Sequence, residues 1–227
     1  MRNKDLKQIY DSFSMSEYIF FRNPGDAGRW GKQTFRDWRN GLTLTQEKAL
    51  KRYKHCMCFA KHINMQKRHG ITTSQANILE SALLMGCLPE NIIVSRNTCI
   101  DFLSSNGYST IQSLVQDYEI GNPIRLVERG FMSTSLHNKR WQKLSKVRLI
   151  IKAPQGCHCG YIFTRSPFTA QERELLFAPG YSMAVEFVKV YNSSSHVLIV
   201  AKICAELPSR ESSLSDSFSL TANQLLI

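Results

Sequence analysis

Up to Pro89 the apolar residues of this chain recur every three to four positions, and beyond it they gather into short runs that alternate or stay apolar throughout. The first rhythm predicts helices. Thr43-Leu44-Thr45-Gln46 supplies a capping hydroxyl and, three residues on, an amide that can reach back to it. Leu50, Tyr53, Met57, Ala60 and Ile63 then continue at helical spacing, so the pattern predicts one amphipathic helix from Thr43 to near Gly70. A second helix is expected over Ser74 to Met85, carrying Ile78, Leu79, Ala82 and Leu83 and stopped by Gly86 and Pro89. The later runs predict strands at Ile92 to Val94, Val147 to Ile151, Gly160 to Phe163, Glu174 to Phe177, Met183 to Tyr191 and Val197 to Cys204. Between Thr98 and Arg129 the signals are mixed, with Thr110 to Tyr118 a helix candidate. Gly156, Gly180 and the Asn192-Ser193-Ser194-Ser195 cluster supply turns. Helices first and an antiparallel-rich sheet afterwards make an α+β arrangement.

Composition narrows this picture only a little. A chain of 227 residues suits one good-sized domain with extensions, and 43% hydrophobic with 21% charged residues is ordinary for a globular protein. No apolar run is long enough to cross a bilayer as a helix. The net charge of +11 favours encounters with acidic surfaces, but the basic residues are scattered, and the densest stretch, Lys48 to Arg68, lies on a predicted helix where a solvated face explains it. Trp30, Phe35 and Trp38 interleave with Arg29, Lys32, Arg36 and Arg39 in a manner that suits base stacking, yet no nucleic-acid module is present, and nucleic acid is not the expected partner. The seven cysteines form no complete disulfide framework, and the Cys56/Cys58 and Cys157/Cys159 pairs lack the two to four intervening residues of common zinc sites. Reduced thiols and no metal are expected.

Three short motifs carry the candidate chemistry. In Glu172-Arg173-Glu174, strand alternation puts both glutamates on one face and Arg173 with Leu175 on the other. Paired carboxylates can stabilise a developing cation and receive a proton from a nucleophile, although the same spacing is frequent on solvated strands. Upstream, the strand beginning at Ile92 ends on Arg96, whose simplest role is that of an ion-pair partner. Between them, Gly130-Phe131-Met132-Ser133-Thr134-Ser135 sets three hydroxyl residues after an aromatic, a pattern that commonly serves local backbone bonding.

Taken in order, arginine, Ser-Thr-Ser and Glu-x-Glu resemble the mono-ADP-ribosyltransferases named after those motifs, a group that includes bacterial toxins and effectors. Trp38, Leu42, Glu47, Ala49, Leu50, Tyr53 and Ile63-Asn64 resemble the helical lead-in of clostridial actin-modifying toxins and their insecticidal relatives, and Ile150 to Gly156 resembles the strand and turn before the family's catalytic loop. The resemblance implies a two-sheet transferase core over residues 30–206, with a helical lead-in at 30–90 and a β-rich part at 91–206, flanked by an N-terminal extension (1–29) and a serine-rich tail (207–227). It implies NAD as a consumed substrate, with Arg96 gripping its phosphates because a guanidinium fork binds phosphate oxygens bidentately. Ser133 is expected to orient Glu174, which would hydrogen-bond the nicotinamide ribose and stabilise the sugar cation. Glu172 would orient or deprotonate the acceptor, and a glutamate there points to arginine on a host or target protein.

Two departures from the family pattern stand out. Thr169 occupies the place of the usual loop aromatic, with Phe168 one position earlier as the substitute for acceptor contacts. Asn97 follows Arg96 where relatives often carry arginine or glycine, so one phosphate contact is either missing or supplied by Asn97 itself or by Arg140, for which a surface arginine is the alternative. An NAD glycohydrolase and a catalytically silent binding module remain alternatives on the same fold. The N-terminus has neither the apolar core nor the cleavage site of a secretory signal, so the expectation is an effector that leaves by a route removing no such signal and acts in a host cytosol.

Overall fold

The computed structural model describes residues 17–137, 145–162, 173–191 and 195–204. Its lead-in opens with α1 (Pro24–Thr34), where the Asn23 side chain accepts from Gly25 N–H at 2.7 Å and Pro24 takes the first position, whose N–H would have no partner. After the short α2 (Arg36–Asn40) comes α3 (Leu44–His55), started by the expected box: Thr43 N–H donates to Gln46 Oε1 at 2.9 Å, and Gln46 N–H to Thr43 Oγ1 at 3.3 Å.

The single helix expected as far as Gly70 is two. Cys56 takes an extended backbone (φ −115°, ψ 94°) and separates α3 from α4 (Met57–Arg68). A straight helix would bury Met57 on the Leu50–Tyr53 stripe, but here Met57 is 85% exposed while Tyr53 and Ile63 both reach the core. The fold-back is fastened by Asn64, whose Nδ2 donates to Tyr53 Oη at 2.8 Å and whose Oδ1 accepts from Phe131 N–H at 2.8 Å. Helix α4 closes near Gly70, left-handed at φ 75°. Helix α5 (Ser74–Leu84) is capped by Thr73 and buries Ala76, Leu79, Ala82 and Leu83.

The strands are β1 (Ile92–Thr98), β2 (Arg125–Glu128), β3 (Met132–Ser135), β4 (Val147–Ala153), β5 (Cys159–Ile162), β6 (Glu174–Phe177), β7 (Tyr181–Tyr191) and β8 (His196–Ile203), with helices α6 (Asp101–Ser104) and α7 (Ile111–Glu119) between β1 and β2. They form one ladder in the order β2-β7-β8-β4-β1-β3-β6-β5, antiparallel throughout except for β4 beside β8. The fold is α+β, and the two expected sheets are a five-stranded and a three-stranded part of this ladder, joined by one register pair, Ser95 opposite Ser135. Strand β1 runs past Arg96 to Thr98, and β2 lies inside the stretch where the sequence signals are mixed.

The main core lies on the sheet face that carries Ile92, Val94, Leu149, Ile151, Leu175 and Ile199, under α5 and α7. The reverse face holds a smaller cluster of Ile93, Ile150, Leu198 and Val200, against which Tyr18 and Phe20 pack. Trp30, Phe35 and Trp38 are not a stacking platform. They pack edge to face at centroid distances of 6.1 and 5.9 Å, and Trp38 Nε1 donates to Ala82 O at 2.7 Å. The Trp38 ring also lies over Gly160, where an added Cβ would come within 2.3 Å of it. Gly160→Ala is therefore expected to destabilise the fold by about 1–3 kcal/mol through overpacking. A lower denaturant midpoint at unchanged slope would show it.

Candidate active site

The ladder places two motif residues, Ser135 and Glu174, on one line with the neighbour of a third, Arg96. Ser95 opposes Ser135, Ser135 opposes Glu174, and Glu174 opposes Ile162, so the join between the two parts of the sheet runs beside the first residue of β6. Glu174 is only 7% exposed. Its Oε1 accepts a hydrogen bond from Ser133 Oγ, and its Oε2 is paired with Lys54 Nζ from α3. Thr134 Oγ1 donates to Leu175 O at 3.0 Å, fixing β3 against β6, and Ser135 Oγ lies 3.5 Å from His137 Nδ1.

On the neighbouring strand Arg96 belongs to a second cluster. Its Nη2 meets Glu128 Oε2 at 2.8 Å, and Arg68 grips the same carboxylate with Nε at 3.0 Å and Nη2 at 2.9 Å. Gly130 N–H donates to Glu128 Oε1 at 2.9 Å. Burial pushes the Glu128 carboxyl up, but Arg96, Arg68 and the Gly130 amide outweigh it and hold the group below its ordinary range. Two guanidinia around one carboxylate leave a net positive cluster. Arg96 Nη1 is buried with no hydrogen-bond partner among the described residues, a donor suited to an anionic ligand. Tyr53 lies within electrostatic reach of Arg96, Glu128 and Glu174, and burial raises its phenol so that it stays neutral.

The remaining expected residues divide. Asn97 faces away from Arg96: its Oδ1 accepts from Arg148 Nη1 at 3.3 Å on the reverse face, so the two neighbours are not brought together. Glu172, Phe168 and Arg140 lie outside the described residues. Arg173 points away from Glu174 as alternation requires, donating from Nε to Pro24 O at 2.9 Å. Among the described residues no group of three or more His, Cys, Asp or Glu is placed to hold a metal, and no helix is long and apolar enough to cross a membrane. A cavity of about 70 Å³ lies between α3 and β5, lined in part by Trp38, Leu50, Lys54 and Tyr161.

Lys54, Arg68 and Glu128 are not among the residues the sequence motifs mark, though two of them leave a signal there. Lys54 stands one turn beyond Leu50, on the apolar stripe itself, and Glu128 shares a strand face with the buried Leu126. A charge on an inward face needs a partner. Arg68, near the end of a basic helix, carries no such mark.

Comparisons with known proteins agree on one family. A family model described as ADP-ribosyltransferase exoenzyme matches residues 27–206. Among solved structures, the chain is similar to Plx2a, an ADP-ribosyltransferase toxin from Paenibacillus larvae, with 22% identity and a TM-score of 0.70 over 82% of this chain and 99% of that one. It is also similar to the C3 exoenzyme of Clostridium limosum (20% identity, TM-score 0.68, 82% of this chain and 97% of that one). The C3stau2 protein of S. aureus, solved with NAD, gives 20% identity and a TM-score of 0.68 over 84% of this chain and 100% of that one. No curated protein matches the chain.

Proposed function

Because this chain belongs to the ADP-ribosyltransferase exoenzyme family, we propose that it is a mono-ADP-ribosyltransferase toxin or effector that moves ADP-ribose from NAD to an arginine of a host protein and releases nicotinamide. The observation that carries this reading is Glu174, enclosed at the start of β6 and held by Ser133 of β3, with β1 on the other side of β3 carrying Arg96, whose buried Nη1 has no hydrogen-bond partner among the described residues. The donor set fits NAD. Arg96, with Arg68 across Glu128, offers planar donors and net positive charge to the pyrophosphate.

At the sugar end, Glu174 accepts a hydrogen bond from a ribose hydroxyl and stabilises the positive charge that grows as the glycosidic C–N bond breaks. Nicotinamide leaves with that electron pair. The acceptor nitrogen attacks the anomeric carbon and forms the new C–N bond, and its proton passes to Glu172. An arginine acceptor enters protonated, so an adjacent carboxylate both recognises the guanidinium and takes its proton after attack begins. Action in a host cytosol completes the reading, with water in place of the acceptor giving the glycohydrolase alternative.

Incubation with labelled NAD and cell lysate tests the proposal, with nicotinamide release measured alongside. Wild type labels protein, and mass spectrometry of the product finds arginine. Glu172→Gln is expected to lose labelling by about 100-fold, the scale of a general base, while nicotinamide release continues. Release without labelling by the wild type would favour the glycohydrolase, and neither activity would sink both enzyme readings.

A further inference from the structure

Lys54 has no part in the reading above, yet it touches the carboxylate at the centre of it. It sits on the inward stripe of α3 one turn after Leu50, and its side chain is 5% exposed against 9% for that of Glu174. Burying an ammonium in this way is costly unless an anion compensates it, and Glu174 Oε2 is that anion. The dependence is mutual. A carboxylate so enclosed and lacking a cation would hold its proton towards neutral pH, and a protonated Glu174 has no charge to set against a sugar cation.

The other groups around Glu174 do not substitute for Lys54. Ser133 on β3 donates to Oε1 but carries no charge. Tyr53 on α3 and Tyr161 on β5 are phenols that burial pushes up, so both are neutral, and His137 after β3 meets Ser135. Arg96 on β1 is engaged with Glu128, and Arg173, the neighbour of Glu174 in sequence, donates to Pro24 O. Among the described residues Lys54 is the charged side chain in contact with the Glu174 carboxylate.

We propose that Lys54 is a positioning residue that keeps Glu174 ionised and, with Ser133, fixes both carboxylate oxygens before NAD arrives. Each oxygen has a second lone-pair site, so the ribose hydroxyl joins Lys54 or Ser133 on the carboxylate without displacing either. The role rests on Glu174 acting as proposed above, and its test separates the two.

The side-chain carboxyl of Glu174 is followed by ¹³C NMR as pH is varied, without NAD, in wild type, Lys54→Met and Lys54→Arg. The midpoint is expected to rise by about one to three pH units in Lys54→Met and to return towards wild type in Lys54→Arg. The acid limb of kcat/KM for nicotinamide release moves with it. At a pH below both midpoints Lys54→Met therefore loses about tenfold for each pH unit by which its midpoint has risen, and it recovers at higher pH. An unmoved midpoint in a folded Lys54→Met overturns the proposal. Should that variant not fold, the wild type decides alone: the Lys54 Nζ resonance must follow the Glu174 titration, and a resonance blind to it also overturns the role. If the wild type releases no nicotinamide, the transferase reading falls, while the titration still decides what Lys54 does.

Discussion

Glu174→Gln is expected to lower nicotinamide release and protein labelling together, by about a hundred- to a thousandfold in kcat, the scale on which one preorganised electrostatic group matters. Glutamine matches the shape and keeps an oxygen for Ser133, so what is lost is the charge at the anomeric centre. The same change takes the Glu174 charge away from the enclosed Lys54 ammonium, and breaking a buried pair from one side costs about 3–5 kcal/mol. Reduced activity alone would therefore be ambiguous. The double variant Lys54→Met, Glu174→Gln removes both charges and is expected to regain most of the stability while remaining inactive. Nicotinamide release read beside a denaturation curve for the three proteins separates the two effects. A Glu174→Gln protein that is folded and fully active would refute the assignment of the catalytic carboxylate.

The second large effect is on stability. Glu128 is 1% exposed and joins Arg68 on α4 to Arg96 on β1 and to the Gly130 amide at the entry to β3. Glu128→Gln leaves two guanidinia facing each other, Arg96 the more enclosed, and a loss of about 3–5 kcal/mol is expected at neutral pH. Its pH dependence has a definite sign. The folded-state carboxyl lies below the ordinary value of 4.5, so this stabilisation is fully present above about pH 4.5 and is lost as pH falls towards the folded-state value. Denaturant unfolding at pH 7 and in acid should show the gap between wild type and Glu128→Gln narrowing as the solution is acidified. A gap that widens in acid would mean that Glu128 is not ionised in the folded chain.

What sequence makes legible follows the range of the forces involved. The cap at Thr43, the helix after Thr110 and the four-residue strand from Glu174 are local, and their bounds stand nearly as the pattern predicts. The break at Cys56 is not legible, because the contact that fastens the fold-back, Asn64 on Tyr53, joins residues eleven apart across it. Strand β2 is short, and its alternation, Leu126 and Glu128 inward, is hidden by a charged residue at each end. The Arg96, Ser-Thr-Ser and Glu-x-Glu order identifies the family, yet no local pattern says that Lys54 meets Glu174 across 120 residues or that Arg68 and Arg96 share one carboxylate. Such contacts exist only once the topology has been set.

The single pair that joins the two parts of the sheet separates two kinds of work. Arg96 lies on the five-stranded side, and Ser133 and Glu174 lie on the three-stranded side. On the reading proposed above, a dinucleotide held by its phosphates on one side and by its sugar on the other would cross this seam. Such a molecule would act as a splint between the two parts, spanning the one register pair, Ser95 opposite Ser135, at which they join.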